Sequence, residues 1–188
     1  RYKDTLVVAY RDRTDEEIRD INIARKAGDI WEKPYRVHND NWKIAGCPVN
    51  GPMLAIQKGK IAIAWYTGAK NSARVNVAFS KDIGRTFSEP IRIDLSMPLG
   101  RVDLEWINND EVIVSWIESG DETSNIYARR VNINTRLSKE TLVEKIPPGR
   151  ISGYPQMEVV NNNVLFAWTE INKKTIVASK WLSLSALK

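Results

Sequence analysis

The side chains able to do chemistry lie in a few polar stretches. The first holds Arg11, Asp12, Arg13, Glu17, Arg19 and Asp20, and the second His38, Asn39, Asp40, Trp42, Cys47 and Asn50. Arg101 with Asp103 and Arg150 with Tyr154 follow later in the chain. A planar guanidinium grips a carboxylate through two parallel hydrogen bonds, so clustered arginines suit an anionic ligand. Arg13, Arg19, Asp20, His38, Asp40, Trp42 and Asn50 are the candidate ligand contacts. His38 has the chemistry of a general base, and Trp42, read as exposed, suits stacking on a sugar ring. A metal site using His38, Asp40 and Cys47 is a weaker option, and no metal or cofactor is expected. One His and one Cys exclude a His/Cys zinc cluster and a disulfide framework within the chain. Each candidate also has a structural reading. Arg11 with Asp12 and Arg101 with Asp103 are then ion pairs or loop hydrogen bonds, Tyr154 a packing residue before Pro155, and Cys47 a small buried or semi-buried residue.

Bringing these stretches together needs a scaffold, and internal repeats reveal one. Four runs of β-formers end in a small residue and then an aromatic: Leu6–Tyr10, Ile61–Trp65, Val112–Trp116 and Val164–Trp168. The aromatics Tyr10, Trp65, Trp116 and Trp168 are 55, 51 and 52 residues apart. Within a run the period is two, so Ile61, Ile63 and Trp65 share one face and Ala62 and Ala64 the other. Shorter strands precede three of the runs, and a third strand follows each. A fourth, such as Pro90–Ile93, closes the first three units. Four antiparallel strands per ~50 residues predict an all-β fold, a β-propeller of four-stranded blades. The blade segments run over about 1–39, 47–95, 100–146 and 150–188, or some three and a half blades of one domain. A β-sandwich gives no reason for the fixed period.

Composition narrows the function. The 188 residues are 43% hydrophobic, enough for a real core. The net charge of +5 comes from 28 basic and 23 acidic residues, mostly interleaved, whereas a nucleic-acid surface wants a one-signed stripe. No run of eighteen apolar residues exists to span a membrane. A nucleic acid is therefore not the expected partner; a carbohydrate or glycoconjugate is the one implied by the resemblance that follows.

Ser80-Lys81-Asp82-Ile83-Gly84-Arg85-Thr86-Phe87 has the form S-x-D-x-G-x-T-F between the third and fourth strands of its unit. It resembles the Asp box of the sialidase-type propellers, the bacterial neuraminidase repeat. Ser80, Asp82, Gly84, Thr86 and Phe87 are then structural, a folded turn on the face away from the active site. The strings 10–13, 17–21 and 46–52 are similar to those of bacterial sialidase-like proteins. The resemblance implies the C-terminal half of a six-bladed propeller, secreted or periplasmic, with an N-terminal half completing the ring. It also implies a site at the mouth of the channel. Gly153–Met157 resembles the segment carrying the family's nucleophilic Tyr, which makes Tyr154 the candidate. Arg101 resembles an arginine of the family's carboxylate-binding set, and Arg11 is a further candidate for it. The family pattern departs at Trp65-Tyr66-Thr67, where another Arg belongs, and at Asn50–Met53, which lacks a carboxylate. Placing an arginine of the set at Arg11 leaves Arg101 and Tyr154 one blade out of step. The implied function is a glycoside hydrolase acting on an anionic sugar; the alternative is a non-catalytic glycan- or protein-binding propeller.

Overall fold

The computed structural model describes residues 1–149, 153–171 and 174–187. Among these residues fifteen strands form four antiparallel sheets. The first holds β1 (Thr5–Arg11), β2 (Ile21–Ala27) and an outer strand in two pieces, β3 (Ile30–Trp31) and β4 (Tyr35–Arg36), both paired to β2. The second is β5 (Met53–Gln57), β6 (Lys60–Thr67), β7 (Arg74–Ser80) and β8 (Ile91–Arg92). The third is β9 (Pro98–Trp106), β10 (Glu111–Ser119), β11 (Ser124–Asn132) and β12 (Thr141–Ile146). The fourth is β13 (Gln156–Val160), β14 (Asn163–Ile171) and β15 (Thr175–Ser183). Among the described residues the first sheet has no innermost strand and the fourth no outermost one, so about three and a half propeller blades are present, as the repeat spacing predicts. No helix among the described residues is long and apolar enough to cross a membrane.

The period-two runs form strands because both of their faces find a neighbouring blade. Ile61, Ile63 and Trp65 of β6 pack on Val7, Ile21 and Ile23 of the first blade. Ala62 and Ala64 lie in the cluster that holds Leu104, Val112 and Trp116 of the third blade. Small residues there let the sheets approach, and the large ones opposite fill the other gap. Trp65 and Trp116 are 0% exposed and Trp168 6%, the blade-packing role expected of them. At the two ends this logic has no partner. Val177 and Trp181 of β15 are 77% and 55% exposed, and Leu6 and Val8 of β1 are exposed as well.

Carboxylates stitch the blades together. Glu118 is buried and accepts hydrogen bonds from Trp116 Nε1 (2.8 Å), Leu95 N (2.9 Å) and Met97 N (2.9 Å). It thereby holds the link that enters its own blade. Asp103 accepts from Leu104 N (2.8 Å) and from Met157 N (2.6 Å) of the next blade. Asp82 organises the turn from Ser80 to Phe87. It accepts from Ser80 Oγ (2.7 Å), Arg85 N and Thr86 N (both 2.9 Å), and Thr86 Oγ1 (2.6 Å). Burial pushes its carboxyl up, but the bonds from Thr86, Ser80 and Arg85 outweigh it and hold the group at about 2. The turn also joins blades: Arg25 Nε donates to Ile83 O and Tyr35 Oη to Gly84 O, both from the first blade.

Candidate functional site

Arg11, Arg101 and Tyr154 come from the first, third and fourth blades, and the segment entering the second blade, Val49–Asn50, joins them. Arg11 ends β1 with its guanidinium turned inward. It donates to Asn50 O (2.8 Å), Arg19 O (2.5 Å) and Tyr66 O (2.6 Å), and lies 4.9 Å from the Trp42 ring centroid. Burial lowers its pKa to about 10, against the opposing pull of Asp40 and Asp20. It stays charged at neutral pH and its hydrogen-bonding arms are spent on carbonyls.

Arg101 sits on a β-bulge. Gly100 pairs with Ile117 and Asp103 with Ser115, so Arg101 and Val102 together face Trp116 alone. Gly100 has φ +82° and Arg101 φ +55°, the left-handed region that a non-glycine residue adopts only at a cost. The bulge aims Arg101 at the fourth blade. Its Nη1 donates to Gly153 O and its guanidinium lies 4.9 Å from the Tyr154 ring centroid. Tyr154 is 42% exposed, and its hydroxyl donates to Val49 O. Asn50 is buried beneath them, with Oδ1 accepting from Arg101 N (3.1 Å) and Nδ2 donating to Leu99 O (3.0 Å). The two arginines and the tyrosine therefore share one hydrogen-bonded hub, whose connecting atoms are largely backbone carbonyls.

The other predicted residues fall elsewhere. Trp42 is 8% exposed, which corrects its reading as an exposed platform. Arg11 covers one side of its ring, Tyr66 meets it edge-on at 5.5 Å, and Gly68 packs so close that a Cβ there would lie 3.0 Å from the indole. Asp20, 1% exposed, accepts from Asn41 N and Trp42 N (3.0 Å each) and holds the blade link. Arg13 (2.5 Å) and Arg19 (2.6 Å) both pair with Glu17, beside a 410 Å³ hollow that Cys47 also lines. Cys47 is exposed, not buried or semi-buried. Asp12 accepts from Asn22 Nδ2 (2.8 Å), and the guanidinium of Arg11 goes to carbonyls, so of the two structural readings these residues make loop hydrogen bonds and not an Arg11–Asp12 ion pair. His38 and Asp40 line a separate pocket of about 350 Å³ with Lys70, Arg74, Asn76 and Arg92. Cys47 does not line that pocket, and no group of three His, Cys, Asp or Glu able to hold a metal exists among the described residues. Arg150 lies outside the described residues.

Arg74, Asn76 and Arg92 were not singled out from sequence. For Arg74 and Asn76 the signal is the pair of polar positions at two-residue spacing that break the apolar pattern at the start of β7.

The sequence matches no protein-family model and no curated protein. The fold matches glycoside hydrolases. An endo-arabinase from Bacteroides thetaiotaomicron superposes with a TM-score of 0.57 at 10% identity, over 97% of this chain and 72% of that one. An alpha-L-arabinofuranosidase from Clostridium thermocellum gives 0.53 at 13%, over 97% and 66%. A GH32 beta-fructofuranosidase from Bombyx mori, in complex with sucrose, gives 0.52 at 12%, over 98% and 44%. The chain thus spans less than half of the last enzyme. At these identities the likeness shows the fold alone, a β-propeller.

Proposed function

We propose that this protein is a sialidase-like, carbohydrate-active propeller that takes an anionic sugar at the channel mouth. The observation that carries the reading is Arg101: a buried arginine on a bulged, left-handed backbone, aimed at an exposed tyrosine of the next blade. Such a bulge re-aims a side chain at a cost that a purely structural arginine does not need. Arg101 would grip the sugar's anionic group, and Tyr154 would stand over the reacting carbon as nucleophile. The carboxylate needed to activate Tyr154 and the acid that protonates the leaving group come from the rest of the ring. The exposed faces around Leu6 and Val8 and around Val177 and Trp181 are where the remaining blades of the same propeller would pack.

The test is sugar release from sialyl and uronosyl glycosides by the complete protein, with Tyr154→Phe and Arg101→Gln alongside. Turnover lost in both variants supports the reading; turnover unchanged in Tyr154→Phe refutes the nucleophile. A second reading, a non-catalytic glycan-binding propeller, is favoured by two contacts. Arg11 is spent on three carbonyls, and the Tyr154 hydroxyl is tied to Val49 O. Glycan-array binding without turnover would select it.

A further inference from the structure

We propose that the pocket between the first and second blades, lined by Asp40, Lys70, Arg74 and Asn76, is a second ligand site, taking an acidic monosaccharide unit. It uses none of Arg11, Arg101 and Tyr154 and stands independently of the mouth.

The pocket holds about 350 Å³, within the roughly 300–1,000 Å³ of small-molecule sites. Two of its polar side chains are more than nine-tenths buried. Asp40 is 7% exposed and Asn76 5%. Oδ2 of Asp40 accepts from Trp65 Nε1 (2.7 Å), which fixes the carboxylate, while Oδ1 has no hydrogen-bond partner among the described residues. The Asn76 side chain has none either, although it can donate twice and accept twice. The Nε of Arg74 is buried and also without a hydrogen-bond partner. The free atoms of Asp40 and Asn76 are not sealed in the interior, and both residues line the pocket, so a ligand entering it can supply their partners.

Charge selects the ligand. Arg92 is already committed to Asp94 through contacts of 2.7–3.1 Å. Among the described residues neither Lys70 nor Arg74 has an ion pair, and both line the pocket. Glu89, facing His38 Nδ1 at 4.0 Å, is 94% exposed and solvated. A bare inorganic anion would satisfy Arg74 and Lys70 but would meet the Asp40 carboxylate at close quarters. A neutral sugar would satisfy Asp40 and Asn76 but leave Arg74 unmet. A uronic acid does both, its carboxylate on Arg74 and Lys70 and its hydroxyls on Asp40 and Asn76.

The experiment is an NMR titration of the complete protein with D-glucuronate, D-glucose and sodium sulfate, following the Arg74 Nε–H signal. Glucuronate should shift that signal saturably. Glucose and sulfate should bind at least about tenfold more weakly, because each leaves half of the groups unpaired. Arg74→Gln should weaken glucuronate about tenfold or more, the effect of losing a charge-assisted hydrogen bond. Lys70→Gln, on an exposed turn, should weaken it in the same direction and keeps the test decisive if Arg74→Gln fails to fold. Sulfate binding as tightly as glucuronate overturns the acidic-sugar assignment. An absence of saturable binding overturns the site. Binding that survives both substitutions but vanishes in Arg101→Gln belongs to the mouth and likewise overturns it.

Discussion

Gly100→Ala probes how the Arg101 bulge is held. A Cβ on Gly100 would lie 2.7 Å from Asn50 Nδ2, 2.8 Å from Cγ and 2.9 Å from Oδ1. Asn50 cannot swing aside freely, because it is 3% exposed and bonded at both ends of its amide. Forcing alanine to φ +82° costs about 1–2 kcal/mol by itself. Displacing Asn50 breaks two buried hydrogen bonds, for about 2 kcal/mol more. The single substitution should therefore destabilise the protein by about 3–4 kcal/mol. In an Asn50→Ala background the clash and both bonds are already gone, so Gly100→Ala should cost only the backbone part, about 1–2 kcal/mol. The assay is urea denaturation of the four members of the cycle, with unchanged m-values confirming comparable states. The expected coupling is about 2 kcal/mol. Costs that add within about 0.5 kcal/mol would refute the claim that Asn50 and Gly100 form one unit.

Asp82 makes a pH prediction. Its folded pKa lies below its unfolded value, so its contribution is complete above about pH 4 and is lost as pH falls towards 2. Asp82→Asn should cost about 1 kcal/mol at pH 7, after discounting for partial solvent exposure, and should flatten the stability curve over that window. An unchanged slope between pH 4 and 2 would remove Asp82 as its source. Glu118→Ala orphans three donors and should cost about 3 kcal/mol, lowering Tm by about 6–12 °C in calorimetry. A drop under 2 °C would mean the link is held by something else. In the 188 residues expressed by themselves, Trp181→Lys and Val177→Lys should reduce self-association in light scattering without lowering Tm, because both side chains are then exposed on the open face of the fourth blade.

The Ser80–Phe87 turn was legible because its bonds run between residues at most four apart, and Asp82, Thr86 and the turn glycine name themselves. The strands β6, β10 and β14 were legible because large and small residues alternate and the aromatics recur. The hub was only half legible. Arg11, Arg101 and Tyr154 could be picked out by type, yet what they bind is Asn50 O, Tyr66 O, Gly153 O and Val49 O, and every residue has a carbonyl. Trp42 was misread because its neighbours in sequence are polar, while Arg11 and Tyr66, which cover it, lie far away in the chain.

By itself the sequence determined the fold class and the folded turn, since hydrophobic period and turn chemistry are local properties. The tertiary structure decided which polar residue is a fastener and which keeps hydrogen-bonding capacity to spare. Asp20, Asp103 and Glu118 are fasteners because backbone N–H groups of a blade link or a neighbouring blade meet them in the interior. Asp40, Arg74 and Asn76 keep unspent hydrogen-bonding capacity beside a cavity. That difference depends on what stands within 3 Å of each group. Only the closing of one blade on the next sets it.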